Sequence, residues 1–593
     1  MYKIAALLLC LLLSLLCAEA QVKTTAAVPP PAVRKVVLRV YTSSADDKAI
    51  IAKYNYRVSV PDSVEAQKEV QSLVFQLQQD AYLLASADSM YSRRDTLHVK
   101  LYVGQQFKWA KLRNGNLSEG ILIESGFREK FYHNAPFKPA ESVRLQQRIL
   151  EYAEQHGYPF ASVWLDSVNI NGNQIEAALM VEKAFLVTYD SVQVMGSSKT
   201  QPKFLMRYLQ LYPGQPYNQE QVNDSRRMLT QLPYIKMTRP PQVRFLRDKA
   251  TVYYFLEDRQ TNQIDGVVGF LPDPSRPNGN KLLITGEANL NIRNIKGSGK
   301  QLGVQWRRVN RGSVILNGEY LHPNLLGTPF ELGAKFGLLK QDSSFITVQP
   351  RLQLAYNTIK YGKFSVFTEW RNSRTLAAAN AQSLRNLDLA DAHTNTYGLN
   401  YLWNNLDDFY FPRRGRLVEL QLAAGSKKLL RNAELEKSFY DTLEMKTTQL
   451  SMGLRLENFF RLGKNSALLA RVRGEALLND QILLNDMYRI GGLASLRGFD
   501  DYFFYASSYA IGTIEYRLFT AQDSYVLLFY DQGYYRSDLE KSFAQEMPMG
   551  IGGGISFSTG AGIFQLVYSL GKSDAQPLSF KYSKIHFGIT NNF

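Results

Sequence analysis

The clearest chemical pair in this sequence is an arginine and an aspartate. Arg497 stands in Gly491-Gly492-Leu493-Ala494-Ser495-Leu496-Arg497-Gly498-Phe499, and Asp531 in Phe529-Tyr530-Asp531-Gln532-Gly533. A guanidinium is a planar fork of donors that never loses its charge, and a carboxylate accepts two parallel bonds from it. Gly498 permits a tight backbone reversal, and Phe499 supplies an apolar anchor. The chemistry expected of this set is mechanical: Arg497 pairs with Asp531 and pins a loop to a wall. Leu496, Phe529 and Gly533 complete the two motifs.

Other constellations point away from catalysis. His98, His133, His156, His322, His393 and His586 are scattered, without metal-ligand spacing. Gly297-Ser298-Gly299-Lys300 falls short of a phosphate loop, because Asn294 stands where the earlier glycine belongs and the setting is a hairpin turn. No Gly-x-Ser-x-Gly elbow occurs. The expectation is a protein that is not an enzyme, with no catalytic residue, no metal site and no cofactor.

The N-terminus explains the cysteines. Lys3, the apolar run Ile4 to Leu16 and the small-x-small triplet Ala18-Glu19-Ala20 read as a signal peptide over residues 1–20. The run is too short for a spanning helix, which needs roughly 20 apolar residues. Cys10 and Cys17, the only cysteines, both lie inside it. Processing then leaves no thiol, which excludes a disulfide framework, thiolate metal ligands and cysteine nucleophiles. The formal charge is +16, spread without a dense basic block. Export argues against nucleic acid as a partner, so the charge suits a polar channel lining or solvated faces.

These residues need elements to hold them. The chain has 593 residues, several times the ~100–150 of a typical domain, so several domains are expected. No later run reaches 18 apolar residues, which leaves a soluble exported protein or a β-barrel. From residue 263 helical periodicity vanishes. Sixteen segments of alternating polarity follow, the first from Gln263 and the last from Tyr582, separated by Gly, Asn, Asp or Pro turns. In one of them Ala467, Leu469, Arg471, Arg473 and Glu475 oppose Leu468, Ala470, Val472, Gly474, Ala476 and Leu478. One face suits lipid and the other suits water, and a closed barrel leaves no unpaired edge in hydrocarbon. Residues 263–593 are therefore expected to form an all-β, sixteen-stranded antiparallel transmembrane barrel. The Arg497 motif falls in its long loop from about Asn479 to Tyr505, and Asp531 on its thirteenth strand.

Ahead of the barrel the texture is α+β and repetitive. Tyr82, Tyr158 and Tyr234 recur every 76 residues. Each follows an amphipathic helical stretch (Ala66 to Gln79, Ser142 to His156, Gln219 to Gln231) and precedes strand-like segments. After a tether at residues 21–35, three small domains are expected at 36–108, 109–184 and 185–262. The last has the order β-α-α-β-β, and Asn218 is positioned to cap its second helix.

The Arg-Gly-Phe loop, the Phe-x-Asp-x-Gly strand and the front domains together resemble the BamA/TamA superfamily of outer-membrane insertases and transporters. The β-α-α-β-β order resembles a polypeptide-transport-associated (POTRA) domain, and three such domains are similar in number to TamA. Ile585, Phe587, Ile589 and Phe593 resemble the C-terminal strand signal by which such barrels are recognised for insertion. The resemblance implies an outer-membrane location with periplasmic front domains. It also implies that the chain inserts or translocates unfolded outer-membrane or secreted polypeptides, in contact with outer-membrane lipid and with periplasmic or inner-membrane accessory proteins. Two other readings stay open. A two-partner secretion transporter would pass one exoprotein through the lumen, and a passive porin would leave the front domains without a purpose.

Overall fold

The computed structural model describes residues 35–272, 282–308, 313–341, 344–376, 389–432, 440–441, 443–539, 542–559 and 562–589. The expected signal peptide, the tether up to residue 34, and Phe593 lie outside them. The chain divides into two compact units, residues 1–154 with 158–184, and residues 155–157 with 185–593.

The first unit holds two small α/β layers. One contains β1 (Val36–Tyr41), α1 (Ala45–Ile51), β2 (Ser59–Val60), α2 (Ser63–Gln79), β3 (Ser86–Arg93) and β4 (Thr96–Tyr102). The other contains β5 (Lys108–Asn114), α3 (Glu119–Ser125), α4 (Pro139–Gln155), β6 (Ser162–Asn171) and β7 (Gln174–Glu182). In both, the first strand lies parallel beside the last, with the middle strand antiparallel at the edge. Helical periodicity makes the core. Ala66, Val70, Leu73 and Leu77 of α2 pack on Leu97, Val99 and Leu101 of β4, and Leu145 and Ile149 of α4 on Ile175, Ala177, Leu179 and Val181 of β7. In the first two repeats the recurring tyrosine has a shared backbone cause. Tyr82 N–H donates to the Leu77 carbonyl at 3.0 Å, and Tyr158 N–H to that of Ala153 at 2.9 Å. Each follows a left-handed residue, Ala81 (φ 73°) or Gly157 (φ 91°). That is a Schellman closure of the helix, which places the tyrosine at C″.

The second unit opens with the same α/β arrangement: β8 (Thr188–Met195), α5 (Pro202–Tyr208), α6 (Gln219–Thr230), β9 (Ile235–Leu246) and β10 (Lys249–Asp258), with β8 parallel to β10. The Asn218 side chain caps α6, accepting from Gln221 N–H at 2.9 Å.

An antiparallel meander follows. Its first half is β11 (Gln263–Pro272), β12 (Leu282–Ile292), β13 (Gln301–Arg308), β14 (Val314–His322), β15 (Phe330–Gln341), β16 (Phe345–Thr358), β17 (Gly362–Thr375) and β18 (Ala392–Asn404). Next come β19 (Gly415–Leu429), β20 (Lys446–Arg461), β21 (Ser466–Leu478) and, within the long loop, the small hairpin β22 (Tyr488–Ile490) and β23 (Phe504–Ala506). The meander resumes with β24 (Ser508–Ala521), β25 (Ser524–Asp538), β26 (Phe543–Glu546), β27 (Met549–Thr559), β28 (Gly562–Lys572) and β29 (Lys584–Ile589). β26 and β27 both pair with β25, on successive parts of it, and make one interrupted strand. The wall therefore has the sixteen strands expected from the sequence.

The faces divide by chemistry. On β20 Leu450, Met452, Leu454 and Leu456 are exposed outward, while Gln449 and Glu457 are buried inward. On β25 Val526, Leu528 and Tyr530 point out, and Leu527, Phe529 and Asp531 point in. An outside of leucines with an inside of ions is stable only where the outside meets hydrocarbon.

Four hairpin turns at one end of the sheet grip the β8–β10 domain. Gln201 Nε2 donates to the Lys296 carbonyl at 2.8 Å, and Asn324 Nδ2 to the Phe204 carbonyl at 3.2 Å. Gln210 Nε2 donates to the Asn357 carbonyl at 2.8 Å, and Gln231 Nε2 to that of Asn404 at 3.1 Å. Arg259 is paired with Asp408. The Asn294-Ile295-Lys296-Gly297 and Asn324-Leu325-Leu326-Gly327 turns share one conformation, with positive φ at the asparagine, the third residue and the glycine. A Cβ on Gly297 would lie 2.1 Å from the Lys199 carbonyl oxygen, so glycine is needed for the close approach.

Candidate functional site

The loop between β21 and β24 leaves the sheet at the end away from the β8–β10 domain, then folds inward. It is held at two levels. In the outer level, buried Lys427 is paired with Asp486 and donates to the Gln481 carbonyl at 2.9 Å. Asn485 Nδ2 donates to Ser373 Oγ at 2.7 Å and to the Ala390 carbonyl at 3.1 Å. Leu483 joins Phe345, Leu389, Ala390, Ala392, Leu429 and Tyr440 in an apolar cluster of its own.

The inner level is built on Arg497. Its Nε and Nη2 donate to the two oxygens of Asp531, each at 2.7 Å, the forked geometry that carboxylate and guanidinium planes favour. Its Nη1 donates to Glu515 on β24 at 2.6 Å. Beneath it lies the Phe529 ring, with the centroid 3.5 Å from Cζ. Thr513 Oγ1 donates to Asp531 at 2.8 Å, and Arg517 Nε to Glu515 at 2.8 Å. Asp531 is wholly buried and Arg497 is 3 % exposed. Two cations and two anions cancel, which a dry site requires, because an unpaired buried charge is costly.

The remaining motif residues seat the tip. Leu496 and Phe499 are wholly buried and pack with Ile490, Phe504, Tyr509, Ile511 and Tyr535. Gly498 (φ 96°) turns the chain against β28. A Cβ on Gly550 would fall 2.1 Å from the Arg497 carbonyl oxygen, and one on Gly571 would fall 2.4 Å from that of Gly498. Gly533 sits against Leu496, where a Cβ would be 3.3 Å from Leu496 Cδ2. Gln576 Nε2 donates to the Gly498 carbonyl at 3.2 Å, and Gly498 N–H donates to His586 Nε2 at 3.3 Å.

The geometry thus brings together Leu496, Arg497, Gly498, Phe499, Phe529, Asp531 and Gly533. Sequence reasoning missed Glu515, Arg517 and His586. The inward alternation of Thr513, Glu515 and Arg517 was the available signal for the first two. Of the C-terminal set, Ile585 and Phe587 are exposed on β29 away from the loop, Ile589 lies within β29, and Phe593 is outside the described residues. No cluster of three or more metal-ligating side chains occurs among the described residues.

Residues 294–593 match the Omp85 superfamily domain. Residues 187–262 match the POTRA model, described as a surface antigen variable number repeat. None of the curated proteins matches the sequence. Among solved structures, CdiB from Escherichia coli is similar at 12 % identity with a TM-score of 0.53, covering 92 % of this chain and 98 % of its own. CdiB from Acinetobacter baumannii is similar at 13 % identity and a TM-score of 0.51, covering 88 % and 97 %. BamA from Haemophilus ducreyi lacking POTRA domains 1–3 is similar at 14 % identity and a TM-score of 0.39, covering 82 % and 98 %. The family model spans half the chain and includes the clamped loop, and the apolar outer face requires a bilayer. The chain therefore belongs to the Omp85 superfamily, as an outer-membrane β-barrel protein whose N-terminal POTRA-type domains lie in the periplasm.

Proposed function

We propose that this protein inserts polypeptides into the outer membrane at the seam where β11 and β29 meet. One observation carries the reading. β11 and β29 are the two ends of the strand order, and the described ladders join them to the wall through β12 and β28. Among the described ladders none links β11 to β29, so the wall can part between them without breaking a ladder that holds any other pair of neighbours. The two-level loop supports the same reading, because it fills the route through the lumen and leaves a sideways exit.

Clients are unfolded outer-membrane polypeptides. The free edges β3, β6 and β9 of the periplasmic sheets offer strand addition, and the opened seam templates client strands in contact with lipid. No step needs a catalytic side chain or a cofactor. The Arg497, Asp531 and Glu515 cluster acts as a latch that keeps the loop inside the barrel.

The test is a disulfide engineered between β11 and β29, combined with depletion and an outer-membrane proteome. The expected result is that many barrel proteins fall on depletion and that the locked form fails to restore them. Full rescue by a verified locked form overturns the seam. Loss of a single secreted protein instead supports translocation through the lumen.

A further inference from the structure

Two consecutive aspartates just past the loop tip join opposite margins of the sheet. Asp501 accepts from Arg307 Nη2 at 2.9 Å. Arg307 lies on β13, the third strand from one end of the strand order. Asp500 accepts from Lys584 Nζ at 2.8 Å. Lys584 begins β29, the strand at the other end of that order. Neighbouring Cα atoms are about 3.8 Å apart, so a single dipeptide spans from the first hairpins to the last strand. Both partners lie at the extracellular end: Arg307 near the end of a strand running outward, and Lys584 at the start of one running inward.

The Gly491-Gly492 pair, which the Arg497 latch does not use, makes room for these aspartates. A Cβ on Gly492 (φ 79°) would fall 1.8 Å from Asp501 Oδ1, and one on Gly491 (φ 130°) would fall 2.3 Å from the Asp500 carbonyl oxygen. Tyr502 follows with φ 61°, a backbone state rare for a bulky residue. The loop base is thus shaped around the two carboxylates.

We propose that Asp500 and Asp501 are positioning residues that strap the extracellular end of the seam, Asp501 to the first strands and Asp500 to β29. The inference rests on the seam reading above and adds the groups that hold the seam at rest. Its ties differ in kind from the latch. Arg497 and Asp531 are buried, whereas the Arg307, Asp501, Lys584 and Asp500 side chains are 34 %, 44 %, 29 % and 65 % exposed. Exposed pairs are weak and salt-screened. A strap of two weak ties releases readily while the latch stays closed.

The test is amide hydrogen exchange of residues 584–589 in the full-length protein in nanodiscs, with folding of each variant verified by heat-modifiable gel migration. Arg307→Asp and Asp501→Arg should each speed exchange about two- to fivefold at low salt. The double swap should return it toward the wild-type rate. Gly492→Ala should mimic Asp501→Arg, and 1 M salt should bring the wild type close to the single variants. Unchanged exchange in the single variants, or no recovery in the swap, overturns the strap. Client insertion by the disulfide-locked form is scored separately, so a failed seam reading is distinguishable from a failed strap.

Discussion

Arg497 sits over Phe529, its Cζ 3.5 Å from the ring centroid, while its donors grip Asp531 and Glu515. One guanidinium thus meets an aromatic ring and two carboxylates at once. Lysine keeps the charge but has neither plane nor fork. Arg497→Lys should therefore behave nearly as Arg497→Ala, at about 3–5 kcal/mol for a broken buried pair. Limited proteolysis of the loop in the folded barrel is the readout: both variants are cut quickly, and the wild type is not.

The two carboxylates should respond unequally. Asp531 accepts both arms of the fork and the Thr513 hydroxyl, whereas Glu515 accepts one arm and also serves Arg517. Asp531→Asn should release the loop more than Glu515→Gln does, by the same proteolysis. Equal release from both would show that charge alone, rather than the fork, holds the tip.

Glycines on the wall are predicted to be selective. Gly550→Ala and Gly571→Ala each put a methyl within 2.4 Å of a loop carbonyl oxygen, on rigid backbone. They should expel the tip while the barrel still folds. Gly512→Ala, whose nearest neighbour would be 4.0 Å away, should be silent. Heat-modifiable migration reports folding, and proteolysis reports the loop.

The junction between the third periplasmic domain and the barrel should be acid-sensitive. Burial pushes the Asp408 carboxyl up, but Arg259 and the N–H groups of Phe411 and Tyr410 outweigh it, leaving it below the ordinary carboxylate range. A depressed value means that its contribution is complete above about pH 4 and is lost as pH falls through the lowered value. Asp408→Asn should flatten that acid limb in hydrogen exchange of residues 404–415, without altering exchange at neutral pH beyond the loss of the pair itself.

Alternation made the wall legible because each strand meets lipid on one side and water on the other, so every second residue reports its face. Helical spacing did the same for α2, α4 and α6. The Arg497–Asp531 pair was legible because few residue pairs can form a fork. Glu515 was not, since one inward carboxylate among many lumen charges has no local mark. Asp500 and Asp501 were hidden for a different reason. Their partners lie 84 and 194 residues away, and only closure of the sheet brings those ends together. His586 was missed because β29 was read for its apolar face alone. The break at Pro548, which splits β26 from β27, follows from a residue with no N–H to give the ladder.

Four turns, from Asn294 to Gly415, are held by the third periplasmic domain, while the loop tip seats against β24, β25, β27 and β28. The same loop also reaches the first half of the wall, through Lys427 on β19 and Ser373 on β17, so the two braces overlap there. A load applied to the domain therefore meets strands β17 to β19 held at both ends, by the domain's turns on one side and the loop's outer level on the other.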